Sequence, residues 1–522
     1  MLPTRFKPEA LGLSPTGLHK LSEFANLLHG LSVAVQPGNL FHTFLGVFIG
    51  TMISHLPGIG PAAGMALLIP VTYGMNPATA LMMLAGIYYG CMYGGAVTAI
   101  LLNTPGDAAA VMTVLDGYPL ARMGRAGAAL SIAAMSSFIA GTLGVTALIA
   151  IAVPLANFAL RFGPPEFFAL MLFALSTVSA VTGNSLAKGL ISTFLGLAVA
   201  TVGIDLQSGT SRFTFGIPYL DDKINFVIVV VGLFALAGAT RMVEEHTDGK
   251  SQLVKLTGRI WFTVQDFRRA FPAMIRGSVI GFCCGAAPGL GGSIATMLSY
   301  ATEKKLSKHP QEFGKGAIEG VAGPEAAANA DTCGALIHLL ALGVPASGAS
   351  AILMGAFIMY GITPGPTIFQ THPTEVWGLV ASMYVGNVML LVLNLPLVGI
   401  LARILYVPSG ILLVLIIAIA SVGIYSLNEN VIDLYMVWTF GLIGFCFQKF
   451  DIPKVPLLFG VILGENIEQS FRQSMTLSNG ALSIFVSSPI SVCLLSLAVV
   501  SILTALWLHH RSARLLQQQR QT

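Results

Sequence analysis

Charge is scarce in this chain. Asp, Glu, Lys and Arg make up 10% of its 522 residues, where a soluble globular domain carries about a quarter. With 55% hydrophobic residues and a mean hydropathy of +0.79, the apolar surface exceeds what one water-exposed core can hide, which excludes an ordinary soluble domain. Cysteine is sparse as well. Cys91, Cys283, Cys284, Cys333, Cys446 and Cys493 show no CxxC spacing and lie in apolar surroundings. They read as small buried residues, so no disulfide framework or thiolate metal site is expected. No GxSxG, HExxH or paired-aspartate motif is present, which leaves an intramembrane hydrolase as the weakest functional reading. Residues 1–20 lack a long apolar core after their charges, so no cleavable signal peptide is expected. The net charge of +4 resides in short loops and points to orientation in a bilayer rather than to nucleic acid.

Long apolar runs are abundant. Ala126–Ala150, Phe226–Ala239, Val376–Ile400, Ile411–Ile424 and Val486–Leu508 approach or exceed the length that a bilayer-spanning helix needs. They predict an all-α polytopic membrane protein with about twelve transmembrane or re-entrant segments. Leu21, Phe24, Leu27, Leu28 and Leu31 share one helical face, the pattern of an interfacial helix. The domain reading is an N-terminal segment over 1–38, a membrane repeat over 39–240, a basic cytoplasmic linker over 241–276, a second membrane repeat over 277–508, and a polar cytoplasmic tail over 509–522.

The two repeats share a pattern of interruptions. Val47–Pro61 and Val279–Gly292 align so that Gly50, Pro57, Gly58 and Gly60 fall on Gly281, Pro288, Gly289 and Gly291 at one constant offset. A second break follows in each half, at Asn103-Thr104-Pro105-Gly106 and at Gly343-Val344-Pro345-Ala346-Ser347. A backbone in lipid must satisfy its own hydrogen bonds, so irregular chain is tolerated only against protein or a watery cavity. Paired breaks are where carriers bind anions on half-helix N-termini and cations on unwound carbonyls.

Loop charge orients the halves. Tyr73–Pro77 has no Lys or Arg, whereas its counterpart Glu303–Lys315 has Lys304, Lys305, Lys308 and Lys315. After the second breaks the pattern reverses, with Arg122 and Arg125 in the first half and none in Gly361–Gly378. Equivalent loops on opposite faces predict two inverted-topology repeats with broken helices or hairpins. The segment around Pro288 reads as a hairpin entering from the cytoplasmic face. Arg5, Lys7 and Lys20 oppose the periplasmic N-terminus that a matching first hairpin requires.

Several strings carry a family resemblance. Leu56-Pro57-Gly58-Ile59-Gly60-Pro61, Ile87-Tyr88-Tyr89-Gly90, Leu101-Leu102-Asn103-Thr104-Pro105-Gly106, Pro288-Gly289-Leu290-Gly291-Gly292 and Pro324-Glu325-Ala326 resemble, in order, the large membrane subunit of the tripartite tricarboxylate transporter family (TctA-like). The resemblance runs from about Phe24 to the last helix. It implies a transport subunit in the bacterial inner membrane, working with a small TctB-like membrane subunit and a periplasmic TctC-like binding protein. It also implies import of a di- or tricarboxylate such as citrate, by symport with Na+ or H+. Asp107, His338 and the sequence Val344-Pro345-Ala346 depart from the family pattern and bear on substrate and coupling ion. A stand-alone organic-anion carrier or an exporter is the alternative.

The residues expected at the substrate are Pro57, Gly58, Gly60, Asn103, Thr104, Pro105, Gly106, Pro288, Gly289, Gly291, Asn329, Pro345 and Ser347. Backbone N–H groups at glycine-lined tips can cradle a carboxylate. Asn103, Asp107, Asn329 and Asp331 are expected to couple a cation, with Na+ held at the breaks, because a charge inside the membrane marks function by default. Asp116, before Gly117, reads as a turn residue. His338 and the pair Tyr88-Tyr89 read as packing.

Overall fold

A computed structural model of the chain describes residues 15–55, 60–182, 185–205, 207–240, 261–395 and 409–521. Pro57, Gly58 and residues 241–260 of the predicted linker lie outside them. Helix dominates. Among the described residues, seven helices are long and apolar enough to cross a membrane, and four shorter apolar ones accompany them. Proline opens many of them, since its fixed φ suits the first turn and its missing N–H would be unpaired there anyway.

In chain order, α1 covers Pro15–Ala34, α2 Pro37–Ser54, α3 Pro61–Leu68, α4 Pro77–Leu102, α5 Val111–Leu120 and α6 Ala126–Ala159. Next come α7 over Pro164–Val181, α8 over Leu186–Ala200, and α9, whose Phe226–Val230 turn continues as a π turn over Val231–Leu236. Between α8 and α9 a short ribbon pairs β1, Gly203–Ile204, with β2, Ser211–Arg212. The second half brings α10 over Val264–Gly285, α11 over Gly291–Leu306, α12 over Glu319–Ile337 and α13 over Gly348–Met359. It ends with α14 over Ile368–Thr371, α15 over Pro373–Asn394, α16 over Ser409–Asn428, α17 over Val431–Lys449, α18 over Val455–Leu477 and α19 over Pro489–Gln521. α10 begins inside the span read as linker, where Thr263 and Asp266 form a capping box. α1, read as an interfacial helix, has a packing partner in the bundle. It packs against α15, with Val33 and Ala34 buried beside Ala78, Met82 and Ala381.

Both halves fold by one local scheme. A first helix stops at a Pro-Gly break, a short helix returns, and a long helix packs parallel to the first. Parallel packing follows from glycine positions. A Cβ at Gly46 or Gly50 of α2 would stand 2.2 or 2.4 Å from the carbonyl oxygens of Met83 and Ile87 on α4. One at Gly277 or Gly281 of α10 would stand 2.3 or 2.1 Å from those of Gly323 and Ala327 on α12. Only a residue without a side chain lets two backbones approach so closely. Each long helix then ends in a left-handed residue, Asn103 at φ 57 and Gly343 at φ 67, before a short helix restarts.

Polar contacts sort the loops onto two faces. On one, Arg125 pairs with Asp266 at 2.6 Å, and Arg269 with Glu312 at 2.7 Å and Glu319 at 2.9 Å. The hydrogen bond from Arg269 holds the Glu312 carboxyl below its ordinary pKa. On the other face, the Tyr360 hydroxyl after α13 donates to the Thr72 carbonyl after α3. There the Asn39 side chain at the start of α2 accepts from Thr79 at the start of α4 at 2.5 Å. So α4 and α5 run from the Thr72 face to the Arg125 face, and α12 and α13 run the opposite way.

The helices after α6 supply a second wall. α8 and α18 cross at Gly196 and Gly460, where added Cβ atoms would meet the Leu457 and Thr193 carbonyls at 2.1 and 2.6 Å. α9 lies against α17 through Gly232 and Gly441. The largest buried cluster runs through both walls and includes Met65, Leu84, Val229, Phe357 and Phe459.

Candidate functional site

The breaks meet at one cavity of about 490 Å³, a size suited to a small molecule. Each of four restarting segments contributes. Gly60-Pro61 opens α3, Asp107-Ala108-Ala109 forms the turn before α5, Gly292-Ser293 opens α11, and Ser347-Gly348 opens α13. Tyr88 and Met92 of α4 and Asp331 of α12 complete the side belonging to the two halves. Phe234 and Gly238 near α9, Gln448 of α17 and Lys454-Val455 at the start of α18 form the opposite wall. Peptide N–H groups at a helix start have no intrahelical partner. Several such starts around one cavity make it attractive to anions.

Two carboxylates line the cavity. Asp107 Oδ1 accepts the Ala110 N–H at 2.8 Å, closing its own turn. Asp331 is 2% exposed, and its Oδ1 has no hydrogen-bond partner. A buried oxygen left so is costly, and a ligand or proton at that oxygen removes the cost. Ser347 caps α13 by accepting the Ser350 N–H at 3.2 Å, and its hydroxyl lies 3.4 Å from that of Tyr88. Among the described residues no cluster of three or more His, Cys, Asp or Glu side chains is placed to hold a metal ion.

The predicted residues divide into lining and supporting positions. Gly60, Asp107, Asp331 and Ser347 line the cavity. Gly289, at φ 84, donates its N–H to the Ala346 carbonyl at 3.1 Å, tying the two breaks of the second half together. Gly291, at φ 65, starts α11 just before the lining Gly292. Gly106 packs beneath the cavity, where a Cβ would stand 2.6 Å from the Ser54 carbonyl oxygen. Pro288 and Pro345 shape their turns without lining the cavity, and Asn103, Thr104 and Pro105 sit behind it at the end of α4. Asn329 lies away from the cavity. Its amide donates to Ser137 at 2.8 Å and to the Glu325 carbonyl at 3.0 Å.

Other charged residues have structural partners. Asp116 sits inside α5, not in a turn, and binds the other half. Its Oδ1 accepts the N–H groups of Gly314, Gly316 and Ala317 at 2.8, 2.8 and 2.9 Å, and Oδ2 accepts the Tyr300 hydroxyl at 2.9 Å. Glu325 accepts from the Thr113 hydroxyl of α5. His338 is buried at the start of a π turn with Nδ1 unpartnered. Tyr88, Gln448 and Lys454 had not been singled out as site residues. Tyr88 read as packing, and Lys454 lies far along the chain from every break.

Broken helices framing a polar cavity inside an apolar helical bundle define a membrane transport protein. The chain belongs to the tripartite tricarboxylate transporter TctA family, whose pattern it matches over residues 40–459. It is 43% identical over 490 residues to an uncharacterised 52.8 kDa protein from the TAR-I ttuC′ 3′ region of Agrobacterium vitis, covering 94% of this chain and 97% of that one. A second Agrobacterium vitis protein, from the TAR-II ttuC′ 3′ region, is 44% identical over 234 residues, covering 45% of this chain and 97% of its own length. No solved structure matches the chain.

Proposed function

We propose that this chain is the transporting subunit of a binding-protein-dependent, cation-coupled importer of di- or tricarboxylates in the bacterial inner membrane. The observation that carries the reading is the cavity where four restarting segments converge beside the unpartnered Asp331 oxygen. A carboxylate sits at the N–H groups of the restarting helices. A cation, sodium or a proton, neutralises Asp331 and Asp107. Coupling has a clear purpose, since an anion entering a negative-inside cell climbs about 2.3 kcal/mol per charge per 100 mV. A periplasmic binding protein delivers the substrate and a small membrane subunit completes the complex.

The two halves are inverted repeats whose hairpins enter from opposite faces. Together with the shorter helices and hairpin arms, the spanning helices make up about twelve membrane segments. Transport follows an elevator-like movement in which the halves carry the cavity past the wall of α8, α9, α17 and α18. The division of the cavity lining between those two groups supports this.

The test is uptake of labelled carboxylates into proteoliposomes holding this chain and both partner subunits, under imposed sodium or proton gradients. Accumulation is expected only with the gradient and the binding protein. Uptake that persists after the gradient is collapsed would make the chain a facilitator or channel. Gly289→Leu is expected to abolish uptake without loss of membrane insertion, because a Cβ there would stand 3.0 Å from Thr177 Cγ2 in a left-handed backbone.

A further inference from the structure

We propose that Asp331 and Thr332 of α12, with the hydroxyls of Tyr88 and Ser347, form a binding site for one sodium ion at the edge of the cavity. This rests on the cation-coupled reading above and chooses between its two ions.

The two halves share a packing register. Gly46 and Gly50 of α2 face Met83 and Ile87 of α4, and Gly277 and Gly281 of α10 face Gly323 and Ala327 of α12. That register sets Ile87 against Ala327, Cys91 against Asp331 and Met92 against Thr332. In the first half these positions are satisfied. The Cys91 thiol donates to the Gly50 carbonyl at 3.3 Å, and a methionine side chain needs no partner. The same packing therefore forms without an acid or a hydroxyl. The second half carries both and satisfies neither. Asp331 is 2% exposed and Thr332 1%, and Asp331 Oδ1 and Thr332 Oγ1 have no hydrogen-bond partner. Burying such groups unpaired is costly, and a bound ligand removes the cost.

More oxygens gather at the same point. The Tyr88 hydroxyl lies 3.4 Å from that of Ser347, beyond the roughly 2.5–3.0 Å of an ordinary O–H···O bond. The Thr332 hydroxyl and the Asp331 carboxyl also neighbour Tyr88. Tyr88, Asp331 and Ser347 line the cavity. The second Asp331 oxygen, Oδ2, faces the start of α11, where a Cβ at Gly292 would stand 3.5 Å from it.

The donor set selects the ligand. A proton on Asp331 turns one oxygen from acceptor to donor and leaves the three hydroxyls as they are. A hard cation is held by oxygens alone, so it satisfies the carboxylate and the hydroxyls together. One carboxylate balances one positive charge, whereas calcium sites draw on several. Asp107, the other acid at the cavity, has its Oδ1 engaged by the Ala110 N–H. The ligands come from both halves, α4 in the first, α12 and the cap of α13 in the second. Ser347 also opens the helix that receives the substrate carboxylate in the reading above. Cation and anion then bind side by side, and each strengthens the other by the same factor.

The experiment uses the purified full chain in lipid nanodiscs, in sodium, potassium or choline chloride at one ionic strength. It measures binding of radiolabelled sodium and the unfolding temperature. Wild-type chain is expected to bind sodium saturably and to unfold at a higher temperature in sodium than in potassium or choline, because a ligand of the folded state stabilises it. Asp331→Asn should abolish saturable binding. Thr332→Val, which keeps the side-chain shape, and Tyr88→Phe should each raise the sodium Kd by about tenfold or more. Cys91→Ala, at the matching position of the first half, should bind sodium as wild type does. Variants at 88, 331 and 332 that bind sodium like wild type would overturn the ligand set. Wild-type chain that binds no sodium, or gains equally from potassium or choline, would overturn this proposal and leave proton coupling to the reading above. Sodium binding with uptake indifferent to every imposed gradient would overturn the coupled reading instead and leave the site standing.

Discussion

Asp116 illustrates what a single buried carboxylate does when all its capacity is used. It belongs to the first half, and every donor it accepts from belongs to the second. Three of these donors are backbone N–H groups of the loop joining α11 to α12, so the second hairpin is anchored through one side chain of α5. Asp116→Ala would leave these N–H groups buried and unpaired, at a cost of about 1–3 kcal/mol for each one that finds no other partner. The expected result is a lower unfolding temperature and faster tryptic cleavage at Lys304, Lys305, Lys308 and Lys315, with Asp116→Asn intermediate. Unchanged cleavage would show that the loop is held by other contacts. The sequence placed Asp116 next to Gly117, and adjacency alone suggested a turn. Its partners lie some two hundred positions away, and spacing along the chain carries no trace of them. Asp107 and Asp331 were legible for the opposite reason: a charge in apolar text near a break is conspicuous.

At the scale of elements, glycine spacing was the most readable feature. The offset that aligns Gly50 with Gly281 in the sequence is the alignment that packing enforces, because each faces the backbone of the long helix in its own half. Helix packing in lipid depends on such close approach, since apolar side chains gain little over lipid tails. Gly281→Val would force α10 away from α12 and shift Asp331, whose carbonyl oxygen a Cβ at Gly285 would meet at 2.1 Å. The expected outcome is loss of carboxylate binding and a lower unfolding temperature. A matching Gly50→Val on α2 should behave alike if the halves are equivalent, and a variant that transports normally would break that equivalence. The wall of α8, α17 and α18 was not legible as part of the site. These helices carry no Pro-Gly tip, and Lys454 lines the cavity from the start of α18.

At the scale of the whole molecule, polar contacts sort the loops onto two faces, and the loops rich in Lys and Arg gather on one of them. The Arg125 face carries the basic loops, and under the orientation proposed above the positive-inside rule puts it in the cytoplasm and the Thr72 face in the periplasm. Under that orientation a basic N-terminus and a first hairpin entering from outside are compatible only if α1 crosses the membrane. α2 starts on the Thr72 face, because Asn39 at its start binds Thr79 and the Val33 carbonyl. α1 ends there too. Its 20 residues span about 30 Å at 1.5 Å per residue, enough to cross the hydrocarbon core, and it packs against the spanning helix α15. If α1 crosses the membrane, rather than lying at the interface, it returns the N-terminus to the side of the Arg125 face. In a cysteine-free background, Tyr73→Cys is expected to react with an impermeant maleimide from outside intact cells. Lys308→Cys and a cysteine placed ahead of Pro15 should react only after permeabilisation. Both Tyr73 and Lys308 are exposed, so a failure to label is informative. Outside labelling of the cysteine ahead of Pro15 would leave α1 on the membrane surface, and the first hairpin would then need another route to the periplasmic face. Labelling of positions 73 and 308 from the same side would mean that the two halves do not face opposite ways, and an alternating-access cycle built on their inversion would fail with it.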